Sequence, residues 1–236
     1  MANDRAQRLR LLEAARLYFV CEARPHGRDP DELLDAALRG GAHIVQMREK
    51  SPRSVEELVA FAEPFRRAAR EHEALFILND RPDLVAACGA DGVHVGQEDM
   101  SVAEARGAAG TEALIGLSTH SPEQIEAACG ASGDDRPDQL SVGPVWETPT
   151  KAGRPPTGLR LIELAAREAT VPWFAIGGID SENVTDVAAA GASRVVVVRA
   201  IRDAEDPESA ARALRRLLEG TVGGVRPAKQ ATGADG

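Results

Sequence analysis

The residues best suited to chemistry in this chain fall in short polar clusters. In Gln46-Met47-Arg48-Glu49-Lys50 an amide and two cations alternate along an extended segment, and alternation puts Gln46, Arg48 and Lys50 on one face. That set can hold an anion and orient it with one hydrogen bond; a salt-bridged strand end is the plainer reading. Asn79-Asp80-Arg81 and Gly96-Gln97-Glu98-Asp99 each offer a carboxylate. Two carboxylates brought together repel unless a cation lies between them, and magnesium takes one or two carboxylates completed by phosphate oxygens and water. Taken alone, Asp80 could instead cap the helix that begins near Pro82. Ser118-Thr119-His120-Ser121 supplies Ser118 as a phosphate donor. His120 has acid/base chemistry available but stands beside a helix cap, where a structural role is commoner. His94, inside an apolar run, reads as a satisfied interior histidine rather than a ligand. The stretch from Gly143 to Gly158 sets Thr148, Thr150 and Lys151 among Gly and Pro, the composition of a phosphate-binding lid. Gly178 lets the main chain approach an anion closely, and the Val198–Arg199 turn can add backbone N–H groups.

These clusters share one property: each follows an apolar run. The strands expected are Leu17–Cys21, Ile44–Met47, Leu75–Leu78, Gly92–Val95, Leu114–Leu117, Gln139–Val142, Trp173–Ile176 and Arg194–Val198. Most are continuously apolar, which marks strands buried on both faces of a parallel sheet. Helical stretches separate them at Asp31–Arg39, Val55–Glu71, Pro82–Cys88, Val102–Ala108, from Ser121-Pro122 onward, Leu159–Glu168, Glu182–Ala189 and Glu208–Leu218. Ser54 with Glu57 has the spacing of a capping box, and Pro122 suits a first helical position. Gly-Gly-Ala42, Cys-Gly-Ala90 and Ala-Gly-Ala192 each end a helix and enter a strand, with Gly fitting the left-handed cap. Eight βα units predict a single-domain α/β fold, a closed (βα)8 TIM barrel over residues 17–219. A short helix over residues 1–16 precedes it and a disordered tail over 220–236 follows. In such a barrel the polar clusters gather at the C-terminal rim. Asp80 and Asp99, at neighbouring strand ends, become a candidate metal pair.

The bulk composition bounds the partners. A net charge of −9 disfavours nucleic acid and anionic membrane. It permits an anionic small substrate where the site is locally positive. Aromatics are 3% of the chain, so the core is built from Ala, Val, Leu and Ile. No apolar run has the roughly 20 residues that span a bilayer. Cys21, Cys88 and Cys129 form no C-x-x-C pair, so neither a disulfide framework nor a zinc site is expected and the cytoplasm is the default compartment. A homo-oligomer is compatible with all of this. Two local anion zones in an acidic chain read as an enzyme acting on two phosphorylated small molecules.

The segments QMREK, the ND of LFILNDRPD, DGVHVGQED, IGLSTHS, VGPVWETPTKAG and AIGGI followed by VVVRAI resemble the thiamine-phosphate synthase family. The resemblance runs from about Leu17 to Ile201. It implies a transferase that condenses hydroxymethylpyrimidine pyrophosphate with a thiazole ethyl phosphate, using Mg2+, to give thiamine monophosphate and pyrophosphate. By motif match, Gln46, Arg48, Lys50, Asn79, Ser118 and Lys151 would hold the pyrimidine pyrophosphate. Arg48, Ser118 and Lys151 would act on its departure, and Asp80 and Asp99 would bind Mg2+. Thr148, Thr150, Gly178, Val198 and Arg199 would hold the thiazole phosphate. Two positions depart from the family's pattern: Met47 stands where Leu is usual, and Arg199 where many members carry Ser. The rival readings are a thiazole tautomerase-like isomerase, another phosphate-binding barrel, and a non-catalytic barrel that senses thiamine precursors.

Overall fold

The computed structural model describes residues 4–148 and 155–222 of the chain. Eight parallel strands close on themselves in the order β1 to β8. They are β1 (Leu17–Cys21), β2 (Ile44–Met47), β3 (Leu75–Asn79), β4 (Gly92–Val95), β5 (Leu114–Thr119), β6 (Gln139–Val142), β7 (Trp173–Ile176) and β8 (Val195–Val197). Closure comes from β8 beside β1, with Phe19 opposite Val197. The helices are α1 (Arg5–Ala14), α2 (Asp31–Arg39), α3 (Val55–Glu71), α4 (Val85–Cys88), α5 (Val102–Ala109), α6 (Pro122–Gly130), α7 (Gly158–Glu168), α8 (Val184–Ala189), α9 (Arg199–Arg202) and α10 (Pro207–Val222).

Because strand side chains alternate, the apolar residues divide into two buried clusters. Leu17, Phe19, Val45, Phe76, Val93, Ile115, Leu140 and Val195 point outward against the helices. Tyr18, Val20, Ile44, Leu75, Ile77, Leu114, Phe174 and Val196 fill the barrel interior. Leu12 and Ala15 join that interior cluster, so α1 and the residue after it close the lower end. Arg5 and Arg8 tie α1 down through Asp138 at 2.6 Å and Asp91 at 2.9 Å.

The helix ends follow their sequence signals. Ser54 and Glu57 form the capping box at α3, and Ser121 caps α6 by accepting from the Gln124 N–H. The three expected Gly-Ala entries share one geometry. Gly41, Gly89 and Gly191 all have positive φ. The next N–H reaches back five residues, Ala42 to Ala37, Ala90 to Val85 and Ala192 to Val187, which is the Schellman bond. A fourth copy follows α3, where Ala74 donates to Ala69 and the positive-φ position is Glu73, φ 54°.

Several boundaries move. β3 gains Asn79, and β5 gains Ser118 and Thr119, because the ladder continues into polar residues. β8 loses Arg194, whose guanidinium turns to the Glu13 and Ala15 carbonyls, and Val198, which leads into the unexpected helix α9. The single helix expected over Pro82–Cys88 is a 3-10 turn, Pro82–Leu84, followed by α4. α8 begins at Val184 instead of Glu182. α10 continues to Val222, so the first three residues of the expected tail are helical. Residues 223–236 lie outside the described residues.

Candidate active site

The C-terminal rim surrounds a cavity of about 430 Å³. β2 and the residues after it send in Gln46, Arg48 and Lys50; β3 sends in Asn79, and Asp80 directly follows it. The β4–α5 turn adds Asp99, β5 adds Ser118, and the β6–α7 connection adds Thr148. The turn after β7 adds Gly178, and the β8–α9 junction adds Val198 and Arg199. All of these line the same cavity. Thr150 and Lys151 lie outside the described residues.

On one side of the mouth Lys50 forms a short ion pair with Asp80. Asp80 does not cap the turn at Pro82: Arg81 occupies the cap position, with no side-chain cap bond. Its backbone has φ 60°, a conformation that costs energy for a residue with a side chain and is concentrated at functional sites. The Asp80 N–H donates to the His94 carbonyl at 2.9 Å. Asp99 is turned back by the Gly96 N–H, which donates to its Oδ2 at 2.8 Å. Burial pushes the Asp80 carboxyl above the usual carboxylate range; Lys50 pulls it down and the charge of Asp99 pushes it up again. Two carboxylates so close that the charge of Asp99 acts on Asp80 fit a divalent cation. Among the described residues no group of three or more His, Cys, Asp or Glu could hold a metal. The donor set therefore fits an ion that keeps water and takes phosphate oxygens, as magnesium does.

The cavity floor is polar, although it lies within the strands. Gln46, 4% exposed, donates from Nε2 to the Tyr18 hydroxyl at 2.5 Å. Burial holds that hydroxyl protonated far above the usual phenol range. His94 Nε2 lies 3.0 Å from Ser118 Oγ and 3.2 Å from Ser141 Oγ. His94 thus makes interior hydrogen bonds through Nε2, and it also lines the cavity. Gln97 Nε2 donates to the Ser118 carbonyl at 2.6 Å, so Ser118 is fixed at both its hydroxyl and its backbone.

On the opposite side, the chain after β6 is laced to the turn after β7. Val145 N–H donates to the Ile176 carbonyl at 2.9 Å and Trp146 N–H to the Gly177 carbonyl at 3.1 Å. Both crossings need glycine. A Cβ on Gly143 would stand 2.1 Å from the Ile176 oxygen, and one on Gly177 would stand 2.5 Å from Pro144. Asp203, beyond α9, also lines the cavity. Arg202 grips it at 2.6 and 3.0 Å and His26 approaches at 2.9 Å, which holds its carboxyl below the usual range, Arg202 first. Arg199 is exposed and has no ion pair among the described residues, so it is a cation available at this mouth.

The rim gathers every expected site residue that is described. Tyr18, Ser141 and Asp203 line the cavity without having been expected there. Tyr18 and Ser141 carried a usable signal. Each is in phase with the inward face of its strand, as Gln46 is in β2, and a polar atom on that face points at the cavity.

The chain is similar to known proteins. A family model described as thiamine monophosphate synthase covers residues 17–201. A thiamine-phosphate synthase of Thermus thermophilus is 50% identical over 211 residues, 88% of this chain and 98% of that protein. One of Arthrobacter sp. is 47% identical over 229 residues, 89% of this chain and 96% of that protein. Among solved structures, thiamine phosphate pyrophosphorylase from Pyrococcus furiosus superposes with a TM-score of 0.79 at 31% identity, covering 90% of this chain and 99% of that one. A 3-hexulose-6-phosphate synthase superposes at 0.60 with 18% identity, a likeness of fold alone.

Proposed function

The chain belongs to the thiamine monophosphate synthase family, and from that premise we propose how its rim works. The protein is a transferase that joins hydroxymethylpyrimidine pyrophosphate to thiazole ethyl phosphate. The thiazole nitrogen lone pair forms a bond to the pyrimidine methylene carbon. The C–O bond to pyrophosphate breaks, and its electrons leave with the pyrophosphate. The electron-rich pyrimidine stabilises positive charge on the methylene, so the path is dissociative and needs positioning and charge neutralisation more than acid/base help.

Each side of the rim has one task in this reading. Gln46, Asn79 and Ser118 orient the pyrimidine pyrophosphate, and Arg48 and Lys50, with Lys151, neutralise it as it leaves. Asp80 and Asp99 hold Mg2+, which when bound supplies further neutralisation of the pyrophosphate oxygens. Thr148, Thr150, Gly178, Val198 and Arg199 hold the acceptor phosphate, Arg199 adding a side-chain cation where a hydroxyl is common. The observation that carries the reading is the convergence of Asp80, Asp99 and Lys50 at the same mouth as Gly178 and Arg199, with Lys50 ion-paired to Asp80. No described helix is long and apolar enough to cross a membrane. A cytoplasmic location is supported by free Cys21, Cys88 and Cys129. The test is incubation with both substrates and Mg2+. Stoichiometric release of pyrophosphate with thiamine monophosphate is expected; isomerised thiazole, or binding without pyrophosphate release, would overturn the reading.

A further inference from the structure

His120 follows β5 directly and stands half-buried on the cavity wall. Its backbone N–H donates to Gln124 Oε1 at 2.7 Å, and its Nδ1 makes a short hydrogen bond to the Gly143 carbonyl. A carbonyl oxygen has no proton to give. Nδ1 therefore carries the hydrogen whatever the charge on the ring. The imidazole becomes a strut from the end of β5 to the first residue after β6.

Gly143 has no slack to absorb a change in that strut. It is pressed against the Ile176 carbonyl on its other side, where a Cβ would stand 2.1 Å from the oxygen. From Gly143 the chain continues as Val145 and Trp146, whose N–H groups are bonded to Ile176 and Gly177. A Cβ on Gly178 would touch Trp146 Cβ at 3.0 Å. The segment from Gly143 to Trp146 is thus a spacer between β5 and the glycine turn after β7. Ser118, two residues before His120, is on the pyrophosphate side; Gly178 is on the acceptor side.

We propose that His120 is a positioning residue for the condensation: by donating from Nδ1 to Gly143 it sets the root of the β6–α7 connection, and through it the Gly177–Gly178 turn that receives the acceptor phosphate. This rests on the synthase reading above. In that reaction the bond-forming nitrogen offers a lone pair and pyrophosphate departs as an anion. An imidazole at this position has no proton to move between the reacting atoms, and its contribution is geometric.

The test compares His120→Ala, His120→Asn and His120→Gln with the wild type, by steady-state kinetics and by hydrogen exchange at the Val145 and Trp146 amides. Asn puts an amide N–H close to the place of Nδ1, whereas Gln reaches the place of Nε2. Loss of the strut is expected to raise the acceptor KM and the exchange rates by about tenfold in the Ala and Gln variants, the scale of one hydrogen bond. The Asn variant should recover both to within about threefold, and the pyrimidine pyrophosphate KM should move by less than about threefold, well inside that scale. Wild-type KM and exchange in the Ala variant would overturn the proposal. So would loss of one limb of the kcat–pH profile in all three variants, Asn included, since that is the signature of an acid or base. If the Ala variant fails to fold, the Asn–Gln contrast carries the comparison. A wild type that releases no pyrophosphate sinks the synthase reading, while the exchange arm still judges the strut.

Discussion

Asp80 shows how this rim trades stability for chemistry. Its carboxylate is partly buried, held at φ 60° and faced by a second carboxylate, with Lys50 as the only cation bonded to it among the described residues. Since burial and Asp99 raise its pKa above the unfolded value, the folded state holds the proton more readily than the unfolded chain. Metal-free stability at this site is therefore greatest below the unfolded pKa and falls as pH rises through the folded one. Asp80→Asn removes that cost, and Asn tolerates the left-handed backbone better than most residues. At neutral pH without metal the variant is expected to melt no lower than the wild type. Mg2+ should raise the Tm of the wild type and not of Asp80→Asn, as binding to the native state alone requires. Thermal melts with and without Mg2+ check both statements. Asp99→Ala is expected to lower turnover by roughly 100-fold or more, the scale of a lost electrostatic group in a catalytic site, while leaving circular dichroism unchanged because Asp99 is exposed. Undiminished turnover would remove Asp99 from the metal site.

At the scale of elements, the fourth Schellman turn exposes a local conflict. The copies after α2, α4 and α8 use glycine at positive φ, but the one after α3 uses Glu73. A residue with a Cβ in the left-handed region costs roughly 1–2 kcal/mol, and glycine returns part of that as unfolded-state entropy. Glu73→Gly is expected to stabilise by about 0.5–1 kcal/mol, seen as a Tm increase of a few degrees with turnover unchanged; a lower Tm would show that Glu73 contributes more by other contacts than it costs in backbone strain. The same turn explains what was legible in the sequence. The Gly-Ala entries were readable because glycine announces its conformation, and the Glu73 copy was not, because nothing in its residue type does. Strand positions were readable to the residue where both faces are apolar, as in β7. They failed where polar residues continue the ladder, as Ser118 and Thr119 do in β5, or where four residues make a helix too short to carry periodicity, as in α9. The site followed the same division. Charged residues after strands announced the mouth, while Tyr18 and Ser141, polar groups inside strands, gave a weaker signal, carried only by their phase with the inward face.

For the whole molecule, the two ends of the barrel carry opposite demands: the upper end must stay open and charged, and the lower end must be closed. The closure is made by α1, whose Leu12 is 1% exposed and packs with Tyr18 and Phe174 inside the barrel. Leu12→Ala opens a cavity there and is expected to cost about 2–5 kcal/mol, measured by denaturant unfolding. Because Tyr18 bears on Gln46, the acceptor-independent affinity for the pyrimidine substrate should weaken with it. Beside this plug His43 places Nδ1 3.4 Å from the Arg16 and Leu17 amide nitrogens. Burial, and after it the charges of Arg215 and Arg16, lowers its pKa to about 4. An unfolded histidine titrates near 6.5. Between those values the unfolded chain binds more protons than the folded one, so this group's contribution is complete above about 6.5 and is lost as pH falls toward 4. His43→Asn keeps an acceptor for the two N–H groups and cannot be protonated in that range. Its Tm should therefore fall less steeply than the wild type's between pH 6.5 and 4. Parallel curves for the two proteins would mean that His43 is protonated in the native state, and that the lower end of the barrel is wetter than its packing implies.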